Sequence, residues 1–291
     1  MPKIFDCFTF FNELDLLELR LHELEPVIHR FVLAEAPFNH RGAPKPLYFW
    51  ENRSRFARFL DRIEHVVVED MPLGGTSESD HWRRENHQRN ALARGLTGAT
   101  ADDFILLSDL DEIPKAKAVE RAANTVSDGA TIHAFEMRMF WYFLNLEHPE
   151  KWDRSRMTKR RYIPTLQTLR IYNYPWKDPR GLLKRWSKMF RTWHRPIRWE
   201  MHRNAGWHFT YMNGVDAVRT KLLSFAHVNP EKSAEHESIT ERIALALASS
   251  LRPDEPNSYK LRKIDENFPS YLRANLDKFR HMIADDSILS L

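Results

Sequence analysis

Three acids stand within four positions in DDFILLSDLDEIPK, residues 102 to 115: Asp109, Asp111 and Glu112. Like charges gathered this closely repel one another unless a cation or hydrogen-bond donors compensate. A divalent metal does so, and carboxylate oxygens suit Mg²⁺ or Mn²⁺, ions that keep open positions for substrate phosphates. The i, i+2 spacing puts Asp109 and Asp111 on the same side of an extended chain, with Glu112 pointing elsewhere. The same acids could instead cap a helix that begins near Pro114, because acids ahead of a proline are a common helix-start signal. Position favours the metal: the acids follow FILLS, an apolar run of strand type, and open α/β sheets bind ligands at the carboxyl ends of their strands.

The surrounding elements must bring that strand end to a cleft. KIFDCFTF reads as a strand, NELDLLELRLHELEPV as a helix after Asn12, and RFVLAEA as a second strand. The loop PFNHRGAPKPLYF leads to a short basic helix at about 51 to 60. The strand EHVVVEDMP, a helix over about 79 to 95 and the strand DFILLSD follow. Four strands with intervening helices predict an α/β fold: a doubly wound, mostly parallel sheet with helices on both faces. Beyond Pro114 the pattern gives a short helix and the long strand TIHAFEMRMFWYFLN. A basic region, the alternating stretch GWHFTYM, another helix and a helical carboxy-terminal end complete the chain. With no repeat and no low-complexity linker, residues 1–291 are expected to form a single domain. Residues 1–115 and 116–291 are its two halves, which the family resemblance given below makes the nucleotide-binding half and the acceptor half.

Further candidates lie at the same sheet edge. In WRRENHQRN, Trp82, Glu85 and Arg89 form one helical stripe, with Asn86 and Asn90 beside it, just before the acidic strand. As a surface feature the Glu85–Arg89 pair would be worth only about 0.3–0.5 kcal/mol; as a donor-binding wall it would face the acids. Glu35 ends the second strand, and Asn12, Glu13 and Asp15 follow the first, where they could contact a nucleoside; Asn12 also reads as a helix cap. Glu136, Asp216, His208 and His227 are candidates for a general base.

Composition narrows the classes. Cys7 is the one cysteine among 291 residues, which excludes an intrachain disulfide and a cysteine-rich zinc cage. No run approaches the roughly 18 apolar residues of a membrane span, and the first residues lack a signal-peptide pattern, so a cytoplasmic protein is expected. Neither G-x-x-x-x-G-K-[ST] nor G-x-G-x-x-G occurs, so any phosphate handle differs from those loops. The net charge of +4 is uneven. Residues 154–203 carry fifteen Lys and Arg against Asp178 and Glu200, a local +13, interleaved with Trp176, Trp186, Trp193 and Trp199. That pattern allows a second reading, a nucleic-acid or anionic-membrane binding module built on 154–203. A haloacid-dehalogenase-type phosphatase also places D-x-D after an apolar strand, but normally near the start of the chain, whereas here about a hundred residues precede it and Ile113-Pro114 follows.

The blocks FDCFTFFNELDLLELRLHEL, FVLAEA, KPLYF, HVVVEDMP, WRRENHQRNAL, FILLSDLDEIP, GWHFTYM and KLLSFAH together resemble glycosyltransferase family 17 and span residues 4 to 227. The resemblance implies a GT-A fold and an inverting transfer of a sugar, N-acetylglucosamine, from a UDP donor to a saccharide acceptor with Mn²⁺ or Mg²⁺. It makes Asp109 and Asp111 the residues for metal and diphosphate, Asp111 the direct ligand, and His227 a carboxy-terminal histidine that completes the coordination. The basic region is then expected to hold an anionic or lipid-linked acceptor with peripheral membrane contact; no nucleic acid is expected.

Overall fold

The computed structural model describes residues 2–285 apart from 126–128, 173–196, 225–235, 252–254 and 256. The first half alternates β1 (Ile4–Thr9), α1 (Leu14–Leu24), β2 (Arg30–Glu35), α2 (Tyr48–Glu51), a 3-10 run at Arg53–Arg62, β3 (Ile63–Val67), α3 (Glu78–Ala91) and β4 (Phe104–Leu107). The second half adds β5 (Glu112–Pro114), α4 (Ala116–Ala123), β6 (Thr131–Trp141), β7 (Leu146–Lys159) and α5 (Leu166–Ile171). β8 (Arg198–His202), β9 (Gly206–Thr210), α6 (Gly214–Ser224), α7 (His236–Ser250), β10 (Lys260–Leu261) and α8 (Ser270–Ala274) follow.

Among the described residues, all ten strands join one sheet in the order β3-β2-β1-β4-β7-β6-β9-β5, with β10 on β7 and β8 on β6. The sheet therefore runs unbroken across both halves. Its first four strands sort their side chains by twos. Phe8, Phe31, Leu33 and Leu106 pack with Leu17 and Leu21 of α1 on one face. Cys7, Val32, Ala34, Ile105 and Leu107 pack with Leu92 and Leu96 on the other. Strands buried on both faces must be apolar at nearly every position, which is why these runs were recognisable. Helices cover both faces, giving the expected doubly wound α/β architecture.

The sheet is less uniformly parallel than the expected pattern. Among the described residues five strand pairings are parallel and four antiparallel. The main departure is β7, a 14-residue strand with the sequence LEHPEKWDRSRMTK, whose charges and proline do not look like a central strand. It is held by antiparallel ladders to β4 and β6, and the pairing with β6 shifts register between Arg138 and Met139. Pro149 lies between the residues paired on either side of that shift, where a missing N–H is tolerated. The carboxy-terminal end is also less helical than expected. NFPSYLRANLDKFRHMI forms only α8 and a 3-10 turn, and Phe268, Leu272, Phe279 and Met282 pack onto Leu16 and Leu19 of α1.

β5 and β9 approach unusually closely. A Cβ on Gly206 would lie 2.4 Å from the Ile113 carbonyl oxygen and 2.9 Å from Pro114 Cα. This register sets His208 opposite Glu112, beside the acids.

Candidate active site

The acids are positioned by a residue that does not face the cleft. Arg20 of α1 is fully buried and forms a bidentate pair with Asp6 of β1, at 2.8 and 2.6 Å. The rest of its guanidinium holds the loop after β4, donating to Ser108 Oγ at 2.6 Å and to the carbonyl oxygens of Asp109, Leu110 and Glu112 at 3.0, 3.2 and 2.7 Å. A buried loop cannot leave carbonyls unsatisfied, and here one side chain takes the role a neighbouring strand would otherwise fill. The acids leave the strand end in a fixed turn, with Glu112 N–H donating to Asp109 O at 3.0 Å.

Cations from three other elements meet the three carboxylates. Asp109 accepts from Arg89 of α3 at 3.2 Å and from Arg170 of α5 at 2.6 Å. Arg170 also grips buried Glu112 through both oxygens, at 2.7 and 2.6 Å, and Trp152 Nε1 donates to the same carboxylate at 2.6 Å. Asp111 receives Lys221 of α6 at 2.7 Å on one oxygen and faces His208 Nε2 at 3.5 Å on the other; Lys221 also lies 3.7 Å from Glu13. Burial alone would push both aspartates up. Arg170 and Arg89 outweigh it at Asp109, and Lys221 and His208 do so at Asp111, so both carboxyls fall below the usual range. Lys221 and Arg170 are raised in turn, because their carboxylate partners outweigh burial. All four remain charged at neutral pH.

These groups border a cavity of 720 Å³ at the carboxyl ends of β1 and β4. Its walls come from both halves: Thr9 to Phe11, Phe38, His40 and α3 on one side, Trp141, Trp152, His208 and Tyr211 on the other. α3 is built for this position. A Ser77–Asp80 capping box starts it, and its buried residues are largely polar. Gln88 donates to Ala34 O at 2.9 Å, and Arg84 holds the carbonyls of Pro72, Gly74 and Gly75 at 2.9, 2.7 and 2.7 Å.

The model for glycosyltransferase family 17 matches residues 1–174, from β1 through α5, including the acid loop, Arg20, Arg89 and Arg170. The chain belongs to glycosyltransferase family 17. Family 17 membership makes it a glycosyltransferase and sets aside the binding-module and phosphatase readings. Among known proteins it is similar to the β-1,4-mannosyl-glycoprotein 4-β-N-acetylglucosaminyltransferases of Rattus norvegicus, 24% identical, and Homo sapiens, 23% identical. Each alignment covers 97% of this chain but 54% and 55% of those proteins, so this family 17 chain spans about half their length. Two solved structures are similar at TM-scores of 0.39 and 0.35: the inositol-1-phosphate CTP transferase of T. maritima (11% identical, covering 83% of this chain and 97% of that one) and the M. tuberculosis glucosyl-3-phosphoglycerate synthase (13% identical, covering 85% and 80%).

The cavity gathers some of the residues expected from sequence and not others. Asp109, Asp111, Glu112, Trp82, Glu85, Arg89 and His208 all line the cavity, and Glu85 pairs with Arg89 at 2.6 Å. Glu35 is fully buried beneath the sheet edge, accepting from Phe49 N–H at 3.0 Å and facing His65 and Lys45. Asn12 does not line the cavity, although its neighbour Glu13 does. Asn90 is exposed and accepts from Gln167 N–H at 2.9 Å, tying α3 to α5. Neither Glu136 nor exposed Asp216 lines the cavity, and His227 lies outside the described residues. Sequence reasoning missed Arg20, Arg170, Lys221, Trp152 and Glu150. Only Arg170 carried a signal, as part of the basic run.

That basic run is partly used internally. Arg156 is buried, with its guanidinium 5.6 Å from the Trp199 ring, and Arg170 neutralises two acids. Arg161 pairs with Asp102, and Arg160 donates to Ala99 O. Trp176, Lys184, Trp186 and Trp193 lie outside the described residues. Among the described residues no helix is long and apolar enough to cross a membrane.

Proposed function

We propose that the chain transfers a sugar, N-acetylglucosamine, from a UDP donor to a hydroxyl of a saccharide acceptor with inversion at the anomeric carbon. The observation that carries this reading is the cavity itself, where Arg89, Arg170 and Lys221 stand against the two aspartates at a strand end. In the transfer the bond from the anomeric carbon to the diphosphate oxygen breaks while a bond from the acceptor oxygen forms. Negative charge grows on the diphosphate, and fixed cations in a partly dry site stabilise it. Phe11, Phe38 and Trp82 give flat apolar surfaces for the nucleoside beside α3.

The residues fit a divalent cation at Asp111 better than at Asp109. Both Asp109 oxygens hold guanidinium groups, whereas Asp111 holds an exchangeable ammonium and faces an imidazole whose buried Nδ1 makes no hydrogen bond. A carboxylate with an imidazole suits Mn²⁺ more than Mg²⁺. When bound, such an ion would offset charge on the departing diphosphate. The acceptor proton needs a group open to the cavity. Glu150 of β7, exposed on the cavity wall, serves that role better than His208, which is buried against Asp111.

Nucleotide sugars should be screened for Mn²⁺-dependent binding and slow hydrolysis. UDP-N-acetylglucosamine is expected to raise the melting temperature only with the metal, as a ligand specific for the native state does by mass action. Equal shifts in excess chelator would contradict the metal bridge, and no response to any UDP-sugar would contradict the donor. Glu150→Gln should lower kcat with little change in donor affinity; an unchanged kcat would point to another base.

A further inference from the structure

A second cluster of ligating side chains lies away from the cavity. β6 and β8 pair in parallel, with His133 opposite Glu200 and Phe135 opposite His202. Glu200 and His202, two apart on one strand, project to one face, and His133 meets them from the neighbouring strand. His133 Nδ1 is 3.1 Å from His202 Nε2. Glu200 lies 3.8 Å from His133 Nδ1 and 3.9 Å from His202 Nε2 through its two oxygens. One donor atom from each of the three residues falls within 4.8 Å of the others, and none of the three lines the 720 Å³ cavity.

We propose that His133, Glu200 and His202 form a binding site for a borderline transition-metal dication of the Zn²⁺ class, separate from the donor site. Two imidazoles and one carboxylate are a donor set that favours Zn²⁺ over Mg²⁺ or Mn²⁺, so the two sites differ in ion as well as in place. Zn–N bonds of about 2.0–2.1 Å at a tetrahedral angle put ligand nitrogens about 3.3 Å apart, close to the observed separation. The carboxylate would close by roughly half an ångström, a side-chain adjustment. Two further observations support the site. Glu200 Oε2 is buried and accepts no hydrogen bond. The rings are held in place by their neighbours: Phe135 stacks on His202 at 5.3 Å, and Phe104 meets His133 edge-on at 6.4 Å. His133 also borders a 210 Å³ pocket with Thr125, Lys159 and Tyr162, room for the water that completes a three-ligand site.

Cobalt titration of the chelator-treated full chain tests this, because Co²⁺ in a four-coordinate nitrogen site gives visible ligand-field bands that Mg²⁺ and Mn²⁺ at the donor site do not. One equivalent should bind with such bands, and Zn²⁺ should displace it. His202→Ala should abolish the bands and weaken binding on the order of a hundredfold, and Glu200→Gln on the order of tenfold. Asp111→Asn should leave the bands in place. His202→Asn, with folding checked by circular dichroism, substitutes if His202→Ala does not fold. Absence of stoichiometric Co²⁺ binding, or bands unaffected by the His202 and Glu200 variants, would overturn the site and leave a hydrogen bond between two neutral rings.

Discussion

Arg20 and Arg170 each bind a carboxylate bidentately and each touch the loop after β4, Arg20 through Asp6 of β1 and Arg170 through Glu112, and they do opposite jobs. Arg20 is fully enclosed, with Asp6 on one side and a serine and three carbonyls on the other. Arg170 keeps 10% of its side chain exposed and faces the cavity while it holds Glu112 and Asp109. A closed ion pair fixes geometry; one with an open side can exchange its partner for an anionic ligand. The two arginines lie on either side of the same stretch, Ser108 to Glu112, one setting its shape and the other its charge.

Breaking the closed member should have the largest effect. Arg20→Leu leaves Asp6 buried without its partner and frees the loop carbonyls, and should cost roughly 3–5 kcal/mol in urea unfolding. The double variant with Asp6→Leu should recover part of it. A loss within about 1 kcal/mol would mean that the loop holds its own shape. On the open side, Asp111→Asn should lower kcat/KM by roughly 10²–10³-fold; full activity in this variant would remove Asp111 from the chemistry. Lys221→Met sharpens the distinction further. If the ammonium competes with a metal for Asp111, Mn²⁺ should bind on the order of tenfold more tightly without donor, about 1.4 kcal/mol, by calorimetry. An unchanged affinity would make Lys221 a fixed part of the wall.

A third cluster sets the scale of an ordinary structural network. Burial would raise Glu147, but Arg138, with help from Arg262 and Lys151, holds it down to about 2. Its folded value lies below the unfolded one, so its stabilisation is present above about pH 4.5 and is lost as pH falls toward 2. Glu147→Gln should flatten the acid limb of stability against pH, read as urea midpoints between pH 2 and 5. A limb identical to that of the parent chain would assign acid loss to other carboxylates. The smallest change should come from Asn90→Ala, at most about 0.5 kcal/mol, since Asn90 is exposed and away from the cavity.

The sequence was most readable where burial constrains every position. β1, β2 and β4 are covered on both faces, so they had to be apolar runs, and the acids after β4 stood out against them. β7 was hidden because its place is set by backbone ladders to β4 and β6, while its middle carries charges that find partners in the folded chain. Arg20 was hidden for a related reason. In LELRLHEL it resembles a solvated helix residue, and its partners are 14 and 88 to 92 positions away. Arg89 was found because Glu85 and Trp82 share its helix face, whereas Lys221 is 110 positions from Asp111 and nothing local marks it. Glu35 looked like a cleft residue because it ends a strand, but the α2 segment folds over it and takes its carboxylate for Phe49 N–H.

Gly206 imposes a manufacturing tolerance on the cavity wall. A methyl group there would stand 2.4 Å from a backbone oxygen, inside the 3.0 Å that real Cβ atoms essentially never breach, and the obstacle is main chain that cannot swing aside. β9 would have to draw back from β5. His208 sits two residues along the same strand and already stands 3.5 Å from Asp111, so a retreat of a few tenths of an ångström would take it out of reach. The glycine is a shim of zero thickness, and the span between imidazole and carboxylate is gauged by a side chain that is not there.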